Sequence, residues 1–169
     1  MITVINTGGT FNKIYDKVKG ELVIYPNCDV IEEVIAKSFY NNIDLRVTGL
    51  IYKDSLYMND EDRAELLKKL ELVQTRDVVV VHGTDTMDVS AEYIRTHAPH
   101  IVASKRIIFT GAMKPYTIEP AEATSNLTLA IGFLLYAEPK SGIYVAMNGV
   151  LGEAEKIVKD RASGKFIFA

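Results

Sequence analysis

The chain has a single cysteine, Cys28, so no internal disulfide can form, which fits a reducing compartment. Its 19 Lys and Arg residues are outnumbered by 22 Asp and Glu, and the formal charge is −3. That balance offers no basic surface for nucleic acid or for an anionic membrane. Long apolar runs are missing too: the richest stretch, Leu127–Ala137, is too short to span a bilayer. The opening Met1-Ile-Thr-Val-Ile lacks a basic segment and turns polar at Asn6, unlike a secretory leader. A cytoplasmic protein is therefore expected. No pair of His or Cys has metal-ligand spacing, so no metal site is expected. Three common fingerprints are also absent: Gly-x-Gly-x-x-Gly, the phosphate loop ending in Gly-Lys-Ser/Thr, and the Gly-x-Ser-x-Gly elbow.

What remains is a chain of 169 residues, enough for one domain with a real core. Its most informative stretch is Val78–Ser90. Four valines run into His82-Gly83, and Thr84, Asp85 and Thr86 follow at once. Consecutive β-branched residues predict a strand buried on both faces, as in a parallel sheet. The polar triplet suits a helix N-cap, and Met87–Arg95 is helix-compatible. Similar strands are expected at Ile2–Ile5, Ile43–Ile51, Arg106–Thr110 and Ile143–Met147. Helices are expected at Val30–Phe39 with Asp29 as cap, at Glu61–Val73 capped by Asn59 or Asp60, and at Pro120–Tyr136. Phe11–Tyr25 predicts a loop or loose hairpin bending at Gly20, with a short strand at Leu22–Tyr25. His97 and His100 flank Pro99 in an expected loop. Val150–Gly164 gives no clear pattern, and Phe166–Phe168 suggests an edge strand.

Strands alternating with helices predict an α/β fold: a mostly parallel, doubly wound (Rossmann-like or flavodoxin-like) sheet with helices on both faces, in three α-β-α layers. Three strands end in small polar turns, after Ile5, Val81 and Thr110. If the strands are parallel, the turns share one edge, where ligands bind in such sheets. Thr7-Gly8-Gly9-Thr10 would let backbone N–H groups approach a carboxylate or oxyanion; equally, it could be a plain turn. Thr84 and Asp85 could bind a ligand or only cap a helix. A threonine hydroxyl needs a base or cation to act as nucleophile, and Tyr15, Lys114, Lys156 and Lys159 are candidates. His82, alone before a glycine, reads as a structural hydrogen-bonding residue.

Together, Thr7-Gly8-Gly9-Thr10, His82-Gly83-Thr84-Asp85-Thr86-Met87 and Thr110-Gly111-Ala112-Met113-Lys114-Pro115 resemble, in order and spacing, the bacterial-type L-asparaginase family. The resemblance implies hydrolysis of the side-chain amide of asparagine, sometimes of glutamine, without a cofactor and through a threonine acyl-enzyme. It implies that Thr10 is the nucleophile and Thr84 the second essential threonine, with Asp85 holding the substrate α-amino group. Lys159, shortly after Val145-Ala-Met-Asn148, looks like the family's catalytic lysine, with Lys156 in reserve. Ser55 looks like the serine that grips the α-carboxylate; Gly9, Gly83 and Ala112 join it in substrate binding. Tyr15, in preference to Tyr25, fits the catalytic tyrosine of the lid, and Asn126 resembles a supporting asparagine.

Ser55-Leu56-Tyr57-Met58 departs from the family's Ser-Gln-Asp-Met, and Glu122 stands where Asp is usual. The resemblance covers only the amino-terminal domain of the usual two-domain enzyme. The expectation is thus that 1–169 is that catalytic domain with its carboxy-terminal companion absent, acting as a homo-oligomer on a small amino-acid substrate. Two other readings stand beside it: an inactive module binding aspartate or asparagine, and a hydrolase of a related amide.

Overall fold

The first strand, β1 (Ile2–Gly8), is buried along its whole length, as a central strand must be. The structure, a computed structural model describing residues 1–169, places it inside a six-stranded sheet. After β1 the chain forms a small antiparallel hairpin, β2 (Ile14–Asp16) and β3 (Glu21–Val23), then helix α1 (Asp29–Phe39) and strand β4 (Leu45–Lys53). Helix α2 (Asp60–Leu72) leads to β5 (Asp77–Val81), then α3 (Met87–His97) and α4 (Pro99–Ser104). Strand β6 (Arg106–Thr110), helix α5 (Pro120–Gly132) and β7 (Gly142–Met147) follow. The chain ends in three short strands, β8 (Val150–Glu153), β9 (Ile157–Asp160) and β10 (Lys165–Phe168).

The sheet order is β4-β1-β5-β6-β7-β8. The first five strands in that order are parallel, with Thr3 opposite both Arg46 and Val78 and with Val78 opposite Ile107. Only β8 is antiparallel, turning back on β7 so that Met147 faces Val150. The parallel part has the flavodoxin order, and its topological switch point falls between β1 and β5.

Alternation along β5 divides the core. Val79 and Val81 join one apolar cluster with Val30 and Val34 from α1 and Leu127 and Ala130 from α5. Val78 and Val80 join the opposite cluster with Leu66, Leu70, Ile94 and Ile101 from α2, α3 and α4. Three α-β-α layers result, as the alternation of strands and helices predicts.

Several local expectations shift. Helix α1 begins at Asp29 itself; Cys28 holds the cap position without a side-chain hydrogen bond. Asn59 caps α2 in a reciprocal capping box with Asp62. Pro99 ends α3 but also opens α4, because proline is tolerated in the first helical turn where its missing N–H costs nothing. His97 therefore closes one helix and His100 sits on the next, and neither lies in a loop. Helix α5 stops at Gly132 and widens into a π turn over Phe133–Ala137. The unassigned stretch after Val150 forms β8 and β9, and β10 pairs only with β9, so it is not an edge of the main sheet.

The Asn59 cap gives a direct stability test. Asn59→Ala is expected to lower unfolding free energy by about 1 kcal/mol, read as a lower urea midpoint at unchanged denaturant slope.

Candidate active site

The polar turns after β1 and β5 flank the switch point, and their backbones touch. Gly9 has a φ of 77°, a region that L side chains rarely enter. A Cβ added at Gly9 would lie 2.6 Å from the Cα of Gly83, and one added at Gly83 would lie 2.5 Å from Ser55 Oγ. Neither turn can carry a side chain there. The Gly9 N–H donates to the Lys53 carbonyl at 2.9 Å, tying the turn to the end of β4. Asn6 and Asn12 complete the brace: Asn6 Oδ1 accepts from the Gly8 N–H at 2.9 Å, and Asn12 Nδ2 donates to the Gly8 carbonyl at 2.7 Å. Neither asparagine stood out in the sequence, although a buried Asn before and after a double glycine is a usable signal.

Helix α3 begins at Met87, where its pattern places it. Thr86 occupies the cap, and its hydroxyl donates to the Ser55 carbonyl at 3.1 Å. Thr84 and Asp85 thus do no capping. Lys159 donates from Nζ to Thr84 Oγ1 and to Asp85 Oδ1, both at 2.8 Å. The Lys159 side chain is 11% exposed and that of Asp85 28%, so this ion pair is shielded from water and stronger than a surface one. Arg161, which sequence reasoning passed over, donates to the Asp85 backbone carbonyl at 3.0 Å.

Strand β9 presents Lys159 here because alternation puts it on the same inward face as Ile157, opposite Phe166, while Val158 and Asp160 face the other way. Ile157 is buried in the core under α3, together with Phe166 of β10. Lys156 lies before the strand, exposed, paired with Glu153 and away from the cluster. Lys114 uses its backbone N–H to donate to Glu122 at 3.1 Å.

Ser55 is 1% exposed, and its hydroxyl has no hydrogen-bond partner in the protein. A buried polar atom left unpaired costs roughly 1–3 kcal/mol, so such an atom in a native structure calls for an explanation, a functional role among them. Next to it, Asp54 accepts from Lys13 Nζ at 2.8 Å. Burial pushes the Asp54 carboxyl up, but the Lys13 hydrogen bond and further contacts outweigh it, and the net pKa is below the ordinary value. The Lys13–Asp54 pair was not foreseen; it joins the base of the β2–β3 hairpin to the Ser55 turn.

Thr10 opens a single 3-10 turn and is half-buried. Tyr15 lies on β2, 63% exposed, opposite Leu22, and shares no hydrogen bond with the Thr84–Asp85–Lys159 cluster. Tyr25 is engaged within the same hairpin, where its hydroxyl donates to Asp16 at 2.6 Å. Ala112 is buried in the turn after β6. That turn is held by Glu122, which accepts from the Met113 N–H at 2.8 Å, and by Asn126, whose Nδ2 donates to the Gly111 carbonyl at 2.9 Å. Asn126 also accepts from the Asn148 N–H at 2.8 Å, and Asn148 donates to Glu122 at 3.0 Å.

The third turn thus joins the first two at one sheet edge. A family model described as "Asparaginase, N-terminal" matches residues 1–169. The chain belongs to the asparaginase family. Among curated relatives, it is 29% identical to a probable periplasmic L-asparaginase of Haemophilus influenzae over 171 aligned residues. It is 30% identical to L-asparaginase 2 of Escherichia coli over 162 residues. Each alignment covers 94% of this chain and 46% of the relative, so the chain spans about half the length of the curated relatives it matches. Among solved structures, a probable cytoplasmic L-asparaginase from Campylobacter jejuni superposes with a TM-score of 0.77 at 29% identity, covering 94% of this chain and 49% of that one. The thermostable L-asparaginase from Thermococcus kodakarensis shares the fold, with a TM-score of 0.79 at 21% identity over 99% of this chain and 50% of its own.

His82, directly before Gly83, is fully buried, and loss of hydration pushes its pKa down to about 4 from 6.5. The folded protein therefore holds it neutral while the unfolded chain protonates it below about 6.5. Stability from this group is complete above pH 6.5 and falls as the pH drops toward 4, by roughly 3 kcal/mol in all. Urea midpoints between pH 7 and 4 are expected to decline in the wild type, with a smaller slope in His82→Asn, which has no titratable group there.

Proposed function

We propose that this asparaginase-family chain hydrolyses the side-chain amide of L-asparagine to L-aspartate and ammonia through an acyl-enzyme on Thr10. The observation that carries the reading is the shielded Lys159–Thr84–Asp85 cluster beside the unpaired, buried Ser55 hydroxyl, at the switch point of the sheet. The family supports the same activity, since the matched relatives are called L-asparaginases.

Each group has a physical role. Ser55 donates to the substrate α-carboxylate and so satisfies its own hydroxyl. The Asp85 carboxylate, one oxygen already engaged by Lys159, offers its remaining acceptor capacity to the α-ammonium. Gly9, Gly83 and Ala112 line the pocket with backbone. Thr10 attacks the amide carbon, and its proton is relayed through Tyr15 or through Thr84 beside Lys159, each passing its own proton on, to the amide nitrogen. Because Lys159 donates to Thr84 Oγ1, the Thr84 proton is free to point elsewhere, and the adjacent cation favours charge developing on that oxygen. Backbone N–H groups of the glycine turn stabilise the oxyanion; one such donor is worth about 3–4 kcal/mol. Ammonia leaves, and a water held by Thr84 cleaves the β-aspartyl ester.

We further propose that residues 1–169 form the amino-terminal catalytic domain of the family and assemble as a homo-oligomer. No helix is long and apolar enough to cross a membrane. The matched relatives carry both "periplasmic" and "cytoplasmic" in their names, so membership alone assigns no compartment; the single cysteine favours a cytoplasmic one.

A second reading, a pocket that binds aspartate or asparagine without turning over, draws on the exposed position of Tyr15 and on the half-length match. Coupled ammonia detection decides between them. Purified protein is expected to release ammonia from asparagine faster than from glutamine, with kcat falling at least ~10³-fold in Thr10→Ala and about 10²-fold or more in Lys159→Met. Calorimetric binding of aspartate with no ammonia produced favours the second reading. Full turnover in Thr10→Ala would falsify the nucleophile.

A further inference from the structure

A chain of hydrogen bonds runs from the protein interior to Gly83. Arg63 of α2, buried, donates from Nε to Ser90 Oγ at 3.3 Å. Ser90 of α3, fully buried, lies 2.8 Å from His82 Nε2. His82 Nδ1 lies 2.7 Å from the Gly83 carbonyl oxygen. The direction of each bond follows from its partners. A carbonyl only accepts, so Nδ1 carries the proton and Nε2 of the neutral ring accepts. Ser90 receives from Arg63 and gives its own proton to His82. The ring is packed edge-on against Phe109, with centroids 5.5 Å apart.

The end of this chain is the peptide that carries the site. Gly83 is wedged between the Gly9 turn and Ser55, with no room for a Cβ on either side. Its carbonyl is held by His82, and a trans peptide turns the next N–H to the opposite side. The Thr84 N–H therefore faces away from the buried ring, and it has no acceptor within the protein. Rotating the Gly83–Thr84 plane would move that N–H and the start of the segment that brings the Thr84 hydroxyl to Lys159.

We infer that His82 is a positioning residue: with Ser90 and Arg63 it locks the Gly83–Thr84 peptide plane and thereby aims Thr84 at the reacting amide. The inference rests on the amidohydrolase reading above for its kinetic arm. It assigns the ring no proton transfer to substrate, because both ring nitrogens are engaged inside the protein.

The test uses three variants of the full chain. His82→Leu removes the donor to the Gly83 carbonyl, His82→Asn keeps a donor near the Nδ1 position, and Ser90→Ala removes the partner that fixes the ring. His82→Leu is expected to lower kcat about 30- to 100-fold with KM within about three-fold of wild type, as misplacing a reacting group does. His82→Asn is expected to recover most of that loss, and Ser90→Ala to fall between them. In NMR spectra, the amide resonances of Gly9, Gly83 and Thr84 should move in His82→Leu and return toward wild type in His82→Asn. If His82→Leu does not fold, Ser90→Ala carries the same comparison. Folded variants with wild-type kcat and only a lower melting temperature overturn the inference, as does His82→Asn being as impaired as His82→Leu. If the wild type releases no ammonia, the amidohydrolase reading fails; the resonances then decide the relay alone, and unmoved Gly83 and Thr84 amides in His82→Leu or Ser90→Ala reject it.

Discussion

The backbone contact between Gly9 and Gly83 is the constraint on which the rest of the site depends. Two parallel neighbours, β1 and β5, end side by side, and their following turns approach closely enough that a methyl group on Gly9 would collide with Gly83. The approach is possible because the helices after β1 and β5 lie on opposite faces of the sheet, leaving a crevice at the switch point. Everything chemical is then arranged around Gly83. Ser55 presses on it from the end of β4, His82 holds its carbonyl from below, and Thr84 and Asp85 follow it in the chain.

Charge is handled by distance from solvent. Lys159 and Asp85 face each other in a partly buried cluster, where their attraction is screened less than at the open surface. A second pair, Lys13 and Asp54, stands between the β2–β3 hairpin and the Ser55 turn. His82 is the opposite case: it is buried with no anion bonded to its ring, so its neutral form is selected and its two nitrogens can play fixed donor and acceptor roles. A cation and a neutral imidazole thus lie on two sides of the same short turn for different physical reasons.

The third turn is stiffened by a separate network. Glu122 and Asn126 of α5 hold the backbone after β6, and Asn148 after β7 closes the ring of contacts. Glu122 replaces the usual Asp yet reaches two backbone N–H groups, which a longer side chain spans easily. The exposed hairpin has no such bracing on its tip, where Asp16 and Tyr25 bond only to the hairpin itself.

Much of this was legible in the residues alone. The strand at Arg106–Thr110 was readable to the residue, and the four valines from Val78 marked another, because consecutive β-branched side chains suit a sheet covered on both faces. The glycine and threonine turns were readable because small polar residues after such strands have few other conformational uses. Asn59 and Pro120 marked helix starts by local chemistry. The tertiary structure decided what local chemistry could not. Thr84 and Asp85 could bind or cap by their chemistry alone, and the folded chain gives the cap to Thr86 and leaves them free of it. Lys156 and Lys159 were alike as charged residues in a patternless stretch; burial of Ile157 and Phe166 under α3 sets which face of β9 turns inward. Lys159 meets Thr84 across 75 positions of sequence, and only the packed core brings them to 2.8 Å. Turn and strand identity come from steric preferences within a few residues, whereas a site between distant turns exists only once the layers that orient them have closed.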